Sequence, residues 1–123
     1  MAVSVECELK DGYVLVRFRG QESYEDVHRF WEKLLLESEF KDRKRFLVVA
    51  EPVKGLNLYE AEKLCMDLAG IARCKIIAYV DPYEKEFDKV VAGAKIIANR
   101  GVNNKVFNSE KDAADWLGEY AER

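Results

Sequence analysis

The sequence predicts an α/β fold: a mixed β-sheet with an antiparallel N-terminal hairpin and helices packed on it, in the order β-β-α-β-α-β-α-β-α. Two observations carry this. A segment of period two turns back on itself through Asp11-Gly12, the strongest short hairpin signal. Behind it, short continuous apolar runs alternate with longer runs of helical period, as in parallel strands covered on both faces by helices.

Each element has its own local reason. Val3, Val5, Cys7 and Leu9 alternate with Ser4, Glu6 and Glu8, which makes a half-buried strand, and residues 13–19 return from the turn until Gly20 ends them. The period then changes. Tyr24, Val27, Trp31, Leu34, Leu35 and Ser38 share one helical face, with Glu25, Arg29, Glu32 and Lys33 opposite. Ser23 followed by Asp26 reads as the cap of this helix, since a hydroxyl accepts from a free amide and an acid suits the positive end. The charged turn 41–45 leads into a central parallel strand at 46–50. Asn57 and Glu60 repeat the cap ahead of Leu58, Ala61, Cys65, Leu68 and Ala72.

Residues 75–80 form the next buried strand. Asp81-Pro82-Tyr83-Glu84 combines an N-cap, a first-position proline and an acid, opening a helix that turns Phe87, Val90, Val91, Ala94 and Ile97 inward and stops at Gly101. Gly93 inside it costs about 1 kcal/mol of helix propensity against alanine, which a close contact with the sheet would explain. Residues 105–107 make a short edge strand. Ser109 and Asp112 then cap a last helix burying Ala113, Trp116, Leu117 and Tyr120. With 123 residues and no repeat, linker or composition break, residues 1–123 read as one domain.

Composition narrows the function. There are 20 Lys and Arg against 23 Asp and Glu, a net charge of −3, which argues against a general nucleic-acid binder. No apolar run approaches the roughly 20 residues that span a bilayer, and the N-terminus has no basic segment followed by a hydrophobic one, so neither membrane insertion nor export is expected and the chain reads as cytoplasmic. Three cysteines, Cys7, Cys65 and Cys74, without close spacing, exclude a disulfide framework and read as buried thiols. With the single histidine, His28, they offer no metal ligand set.

The segments 20–26, 74–80 and 104–117, the last a short strand feeding a capped helix that ends in Trp116-Leu117, together with the element order, resemble the STAS superfamily and, within it, SpoIIAA-like proteins. The similarity covers essentially the whole chain. It implies a bacterial cytoplasmic domain engaged in regulatory protein contacts or small-molecule binding. In anti-sigma-factor antagonists of this superfamily, a Ser or Thr in an Asp-Ser-Ser-Gly-like stretch at the start of the second helix is phosphorylated to break a partner contact. Here residues 50–58 hold no hydroxyl-bearing residue before Tyr59, so no phosphosite is carried over.

Ligands of open α/β sheets favour the crevice beyond the carboxyl ends of the strands. That places the candidate site in residues 51–59 and 81–83, with Glu51, Lys54, Asn57, Tyr59, Asp81 and Tyr83 as polar or aromatic groups. Asn57 and Asp81 are equally explained as helix caps. Leu56 has two readings: exposed beside Tyr59 it makes an apolar contact patch, and turned inward it staples onto the helix near Ala61. There is no Gly-x-Ser-x-Gly elbow, Gly-rich phosphate loop or Walker lysine. The sequence therefore reads as a non-enzymatic regulatory or interaction module with no cofactor, no catalytic residue and no metal, whose partner is another protein or a second copy. The competing reading is a binder of a small lipophilic or acidic metabolite. It is motivated by apolar residues off the inner helical stripe: Phe30, Leu36, Met66 and Ile96.

Overall fold

The computed structural model describes residues 3–54, 56–82 and 87–120, without the side chains of residues 3, 52–54, 87 and 89. β1 (Val3–Lys10) and β2 (Tyr13–Gln21) form the hairpin, followed by α1 (Tyr24–Leu36), β3 (Arg45–Lys54), α2 (Leu58–Ala72), β4 (Ile76–Val80), α3 (Phe87–Asn99), β5 (Asn103–Phe107) and α4 (Glu110–Gly118). The turn between β1 and β2 has positive φ at both central residues, 49° at Asp11 and 86° at Gly12. That is the type I′ geometry that matches strand twist and for which Asp-Gly is selected.

The five strands lie in sequence order, β1-β2-β3-β4-β5. β1 runs antiparallel to β2, and every later neighbour is parallel. This order decides where the helices go. Right-handed crossovers that always step the same way along a sheet must put their helices on the same face. Accordingly α1, α2 and α3 share one face. There Val14, Val16, Phe18, Phe46 and Val48 meet Val27, Leu34, Leu35, Ala69, Ala72 and Val102. α4 alone covers the other, where Tyr13, Leu15, Leu47, Val49, Ala78 and Val80 meet Ala113 and Leu117. Strand alternation assigns the sides, because residues two apart point the same way.

The helix signals read from sequence act as local hydrogen bonds. Ser23 Oγ accepts from Asp26 N at 3.3 Å and Ser109 Oγ from Asp112 N at 3.2 Å. Asn57 and Glu60 close a reciprocal capping box, at 2.8 Å from Glu60 N and 3.2 Å from Asn57 N. α3 ends in a Schellman turn: Val102 N donates to Ile97 O at 3.0 Å and Gly101 takes φ 90°, which an L side chain rarely adopts. The expected cap at 81–84 falls largely on residues outside the described ones.

Several expectations are corrected. β3 extends through Glu51 to Lys54, because its neighbour β2 also continues to Gln21 and pairs with it. Gly93 faces α2 rather than the sheet: a Cβ there would stand 2.8 Å from Cys65 Sγ, so the missing side chain sets how closely α2 and α3 approach. Leu58 and Tyr120, read as inward, are exposed, because Leu58 opens α2 at its outer end and Tyr120 lies in the turn beyond the end of α4. Cys74 is exposed, and Cys7 and Cys65 are only partly buried. Lys75, in contrast, is buried, and its ammonium donates to the Lys41 and Arg43 carbonyls at 2.6 Å each, fastening the charged turn to the start of β4.

Candidate functional site

Stacking three helices over one face of a twisted sheet leaves space where they diverge. A cavity of about 180 Å³ lies between α1, α2, α3 and the sheet. Its floor comes from alternate residues of four strands: Phe18, Ala50, Ile77 with Tyr79 and Asp81, and Asn104 with Val106. Most of these sit toward the carboxyl ends of their strands. The roof is Trp31 and Leu35 of α1, Leu64, Cys65 and Leu68 of α2, and Val90, Ala94 and Ile97 of α3. Nearly all of these groups are apolar. The polar side chains in the wall are Glu22, Tyr79, Asp81 and Asn104. Asn104 Nδ2 donates to Ala94 O at 3.3 Å and Val102 O at 3.1 Å, tying β5 to α3.

The residues proposed from sequence divide between separate places. Asp81, only 5% exposed, lines the cavity, and its amide donates to Phe107 O at 2.9 Å. Leu56 is 7% exposed and lines it too. It occupies the position before the Asn57 cap and Ala61 the fourth helical position, the two ends of a hydrophobic staple, and both face the cavity. The exposed Leu56–Tyr59 pair therefore does not form; Tyr59, 72% exposed, stands outside without Leu56, and Asn57 caps α2. Glu51 points to the opposite face. Its Oε1 lies 3.6 Å from Arg17 Nη1 and 3.9 Å from Arg19 Nε, while Arg17 makes a two-pronged bond to Glu110 at 3.1 Å. The Lys54 side chain and Tyr83 lie outside the described residues.

Glu22, Tyr79 and Asn104 were not singled out from sequence, and Trp31 was read only as part of the inner stripe of α1. A buried strand read as one continuous apolar run hides which residues face which way. Alternation from Ile77 through Tyr79 to Asp81 places them together once the face is known. The apolar residues that motivated a pocket are not its lining: Leu36 and Met66 are exposed, and Phe30 packs edge-on against Phe18 at 5.0 Å. The inner stripes themselves make the wall.

Two features condition the roof. Burial, aided by the charge of Glu62, pushes the Cys65 thiol up to about 11. On the outer surface, α1 and α2 are clasped by three side chains: the Tyr24 hydroxyl donates to the Asp67 carboxylate, and Lys63 Nζ reaches Asp67 Oδ2 at 2.9 Å and Tyr24 Oη at 3.1 Å. Asp67 is held below its ordinary 3.8 by the Tyr24 and Lys63 bonds, whereas Asp67 raises Lys63 above 10.5 and Tyr24 above 10.0. A depressed acid stabilises above its unfolded value and loses that as pH falls through its folded one. Raised groups stabilise below theirs and lose it as pH rises. The clasp is thus complete between about pH 4 and pH 10. Above pH 10 the thermal midpoint of the native chain is expected to fall more steeply than that of Tyr24→Phe. Parallel curves would show that the clasp adds nothing.

No family model and no curated protein matches the sequence. Solved structures do. A protein described as TM1081, solved by NMR, superposes with a TM-score of 0.58 at 16% identity, over 91% of this chain and 86% of its own. An uncharacterized protein of the DUF3478 family with a SpoIIAA-like fold, from Shewanella loihica PV-4, superposes at 0.56 and 18% identity over 94% of both chains. The fold is SpoIIAA-like: a five-stranded mixed sheet, antiparallel only at β1-β2, with four helices. Among the described residues no helix is long and apolar enough to cross a membrane, and no group of three His, Cys, Asp or Glu could hold a metal ion.

Proposed function

We propose that this chain is a non-enzymatic, cytoplasmic binding domain that takes a small, largely apolar molecule between its three-helix layer and the sheet. One observation supports it above the others: an apolar cavity of about 180 Å³ between the three-helix layer and the sheet. A cavity of about 150 Å³ lined by aliphatic and aromatic groups stays dry and binds benzene, so this one has room for a ring with a short arm. Apolar surface left unpacked costs stability, and a ligand seated on it would supply the missing contacts.

The test uses ethylbenzene and 2-phenylethanol with the native chain. At a concentration ten times its Kd, a ligand that binds only the folded state adds about 1.4 kcal/mol. A clear rise of the thermal midpoint is therefore expected. Ala94→Phe, which fills the cavity from α3, should abolish the rise while keeping the circular dichroism spectrum. Absence of any rise in the native chain would reject the reading.

A regulatory protein contact remains the second reading. It is favoured by three large apolar side chains exposed along α2: Leu58, Tyr59 and Met66. A shared use, in which ligand under α2 alters the face α2 presents, would unite the two.

A further inference from the structure

We propose that the outer face of α2 is covered by α2 of a second copy of this chain, packed antiparallel about a two-fold axis near Met66. This rests on the second reading above, a protein contact at α2, and not on the cavity.

α2 is the middle helix of its layer, because the strands run in sequence order and α1 and α3 pack against its two sides. Its inner face belongs to the cavity wall and the core, through Leu64, Cys65, Leu68 and Ala69. A helix turns about 100° per residue, so Tyr59, Glu62, Met66, Gly70 and Arg73 form the opposite ridge. Spacings of three and four residues make it the straight stripe by which one helix seats on another. Tyr59 is 72% and Met66 50% exposed, and with Leu58 they are three of the six large apolar side chains exposed among the described residues. Apolar groups gathered on one helix mark a contact surface, whereas scattered ones need no explanation.

The charges along the ridge select the partner and its direction. Glu62 lies in the amino-terminal half of α2 and Arg73 caps its carboxyl end. Among the described residues neither forms a salt bridge, whereas Lys63 is held by Asp67 and Tyr24. Both lie toward α3: Glu62 comes three residues before Cys65, which faces Gly93, and the Arg73 stem runs beside Gly101. A two-fold axis crossing the helices in the plane of contact reverses their direction but keeps their α3 sides together. Tyr59 and Arg73 are each seven residues from Met66. Antiparallel pairing centred there sets Tyr59 against the partner's Arg73, a cation at an aromatic ring, with Glu62 one turn further in. Glu62 itself opposes the partner's Gly70, where even a Cβ would meet nothing within 4 Å of its own chain, so the helices have room to approach. Parallel pairing would bring like charges together at both ends. A different protein of one charge would satisfy one end of the ridge and repel the other, while a second copy satisfies both.

Sedimentation equilibrium from about 1 µM to about 1 mM is expected to show the mass rising from 14.2 kDa toward twice that value. Gly70→Leu is the sharpest variant. It places a side chain in open space on the single chain and replaces a poor helix former. It should therefore abolish association while leaving the thermal midpoint at low concentration equal or higher. Arg73→Glu and Glu62→Arg should each weaken association about tenfold or more, and both together in one chain should restore it. Circular dichroism should stay native in every variant, since none of the three positions is in the core. A chain monomeric throughout overturns the inference, while the reading of α2 as a contact for another protein stands. A dimer that survives Gly70→Leu overturns it, as does one that the double charge reversal fails to restore.

Discussion

Phe46→Ala is expected to lower stability by about 3–5 kcal/mol, the range for removing a fully buried aromatic side chain. Phe46 is 0% exposed, pairs with Val14 of β2 and Ile77 of β4, and sits in the larger core under α1 and α2. Its ring also lies 5.6 Å from the Lys75 ammonium, so truncation takes away a wall of that buried cation as well as core volume. A domain of this kind has roughly 5–15 kcal/mol in total. With a urea slope of about 1–3 kcal/mol per molar, the midpoint should fall by about 2 M. Leu36→Ala is the control. Leu36 is apolar and on the same face of the molecule but 51% exposed, and its effect should stay within about 0.5 kcal/mol. A small effect at Phe46, or equal effects at both sites, would mean that the core is not built as described.

Cys65, which lines the cavity, should be the most protected of the three thiols, and its alkylation strongly suppressed. The thiolate is the reactive species. Raising the thiol from 9.0 to about 11 cuts the thiolate fraction by 10 to the power 11 − 9, about 100-fold at neutral pH, before access is considered. Cys74 is exposed. Iodoacetamide followed by mass spectrometry should therefore label Cys74 first and Cys65 last, and bound ligand should slow Cys65 further, because its side chain forms part of the roof. Labelling of Cys65 as fast as Cys74 would contradict the close α2–α3 contact at Gly93.

The helix starts were legible because their causes are local. A serine or asparagine three residues ahead of its partner amide suffices, and Ser23, Asn57 and Ser109 each cap as read. The hairpin was legible for the same reason, since Asp11-Gly12 needs no distant residue to take positive φ. Burial at the ends of elements was less so. Leu58 and Tyr120 satisfy helical periodicity yet lie where no neighbouring layer reaches them. Glu51 and Asp81 both follow an apolar strand in the sequence, and nothing local says that one joins Arg17 and Glu110 below the sheet while the other enters the cavity above it.

What the chain alone determined was therefore the identity and order of the elements, the parallel sheet behind one antiparallel hairpin, and the lack of a serine or threonine at the start of the second helix. These follow from interactions within a few residues. The three-to-one division of helices, the gap it leaves beneath α1, α2 and α3, and the carboxylate turned into that gap were decided only in three dimensions. They depend on strands from Phe18 to Val106 meeting in one register, and side chains that far apart in sequence can be brought to one wall only by the sheet that orders them.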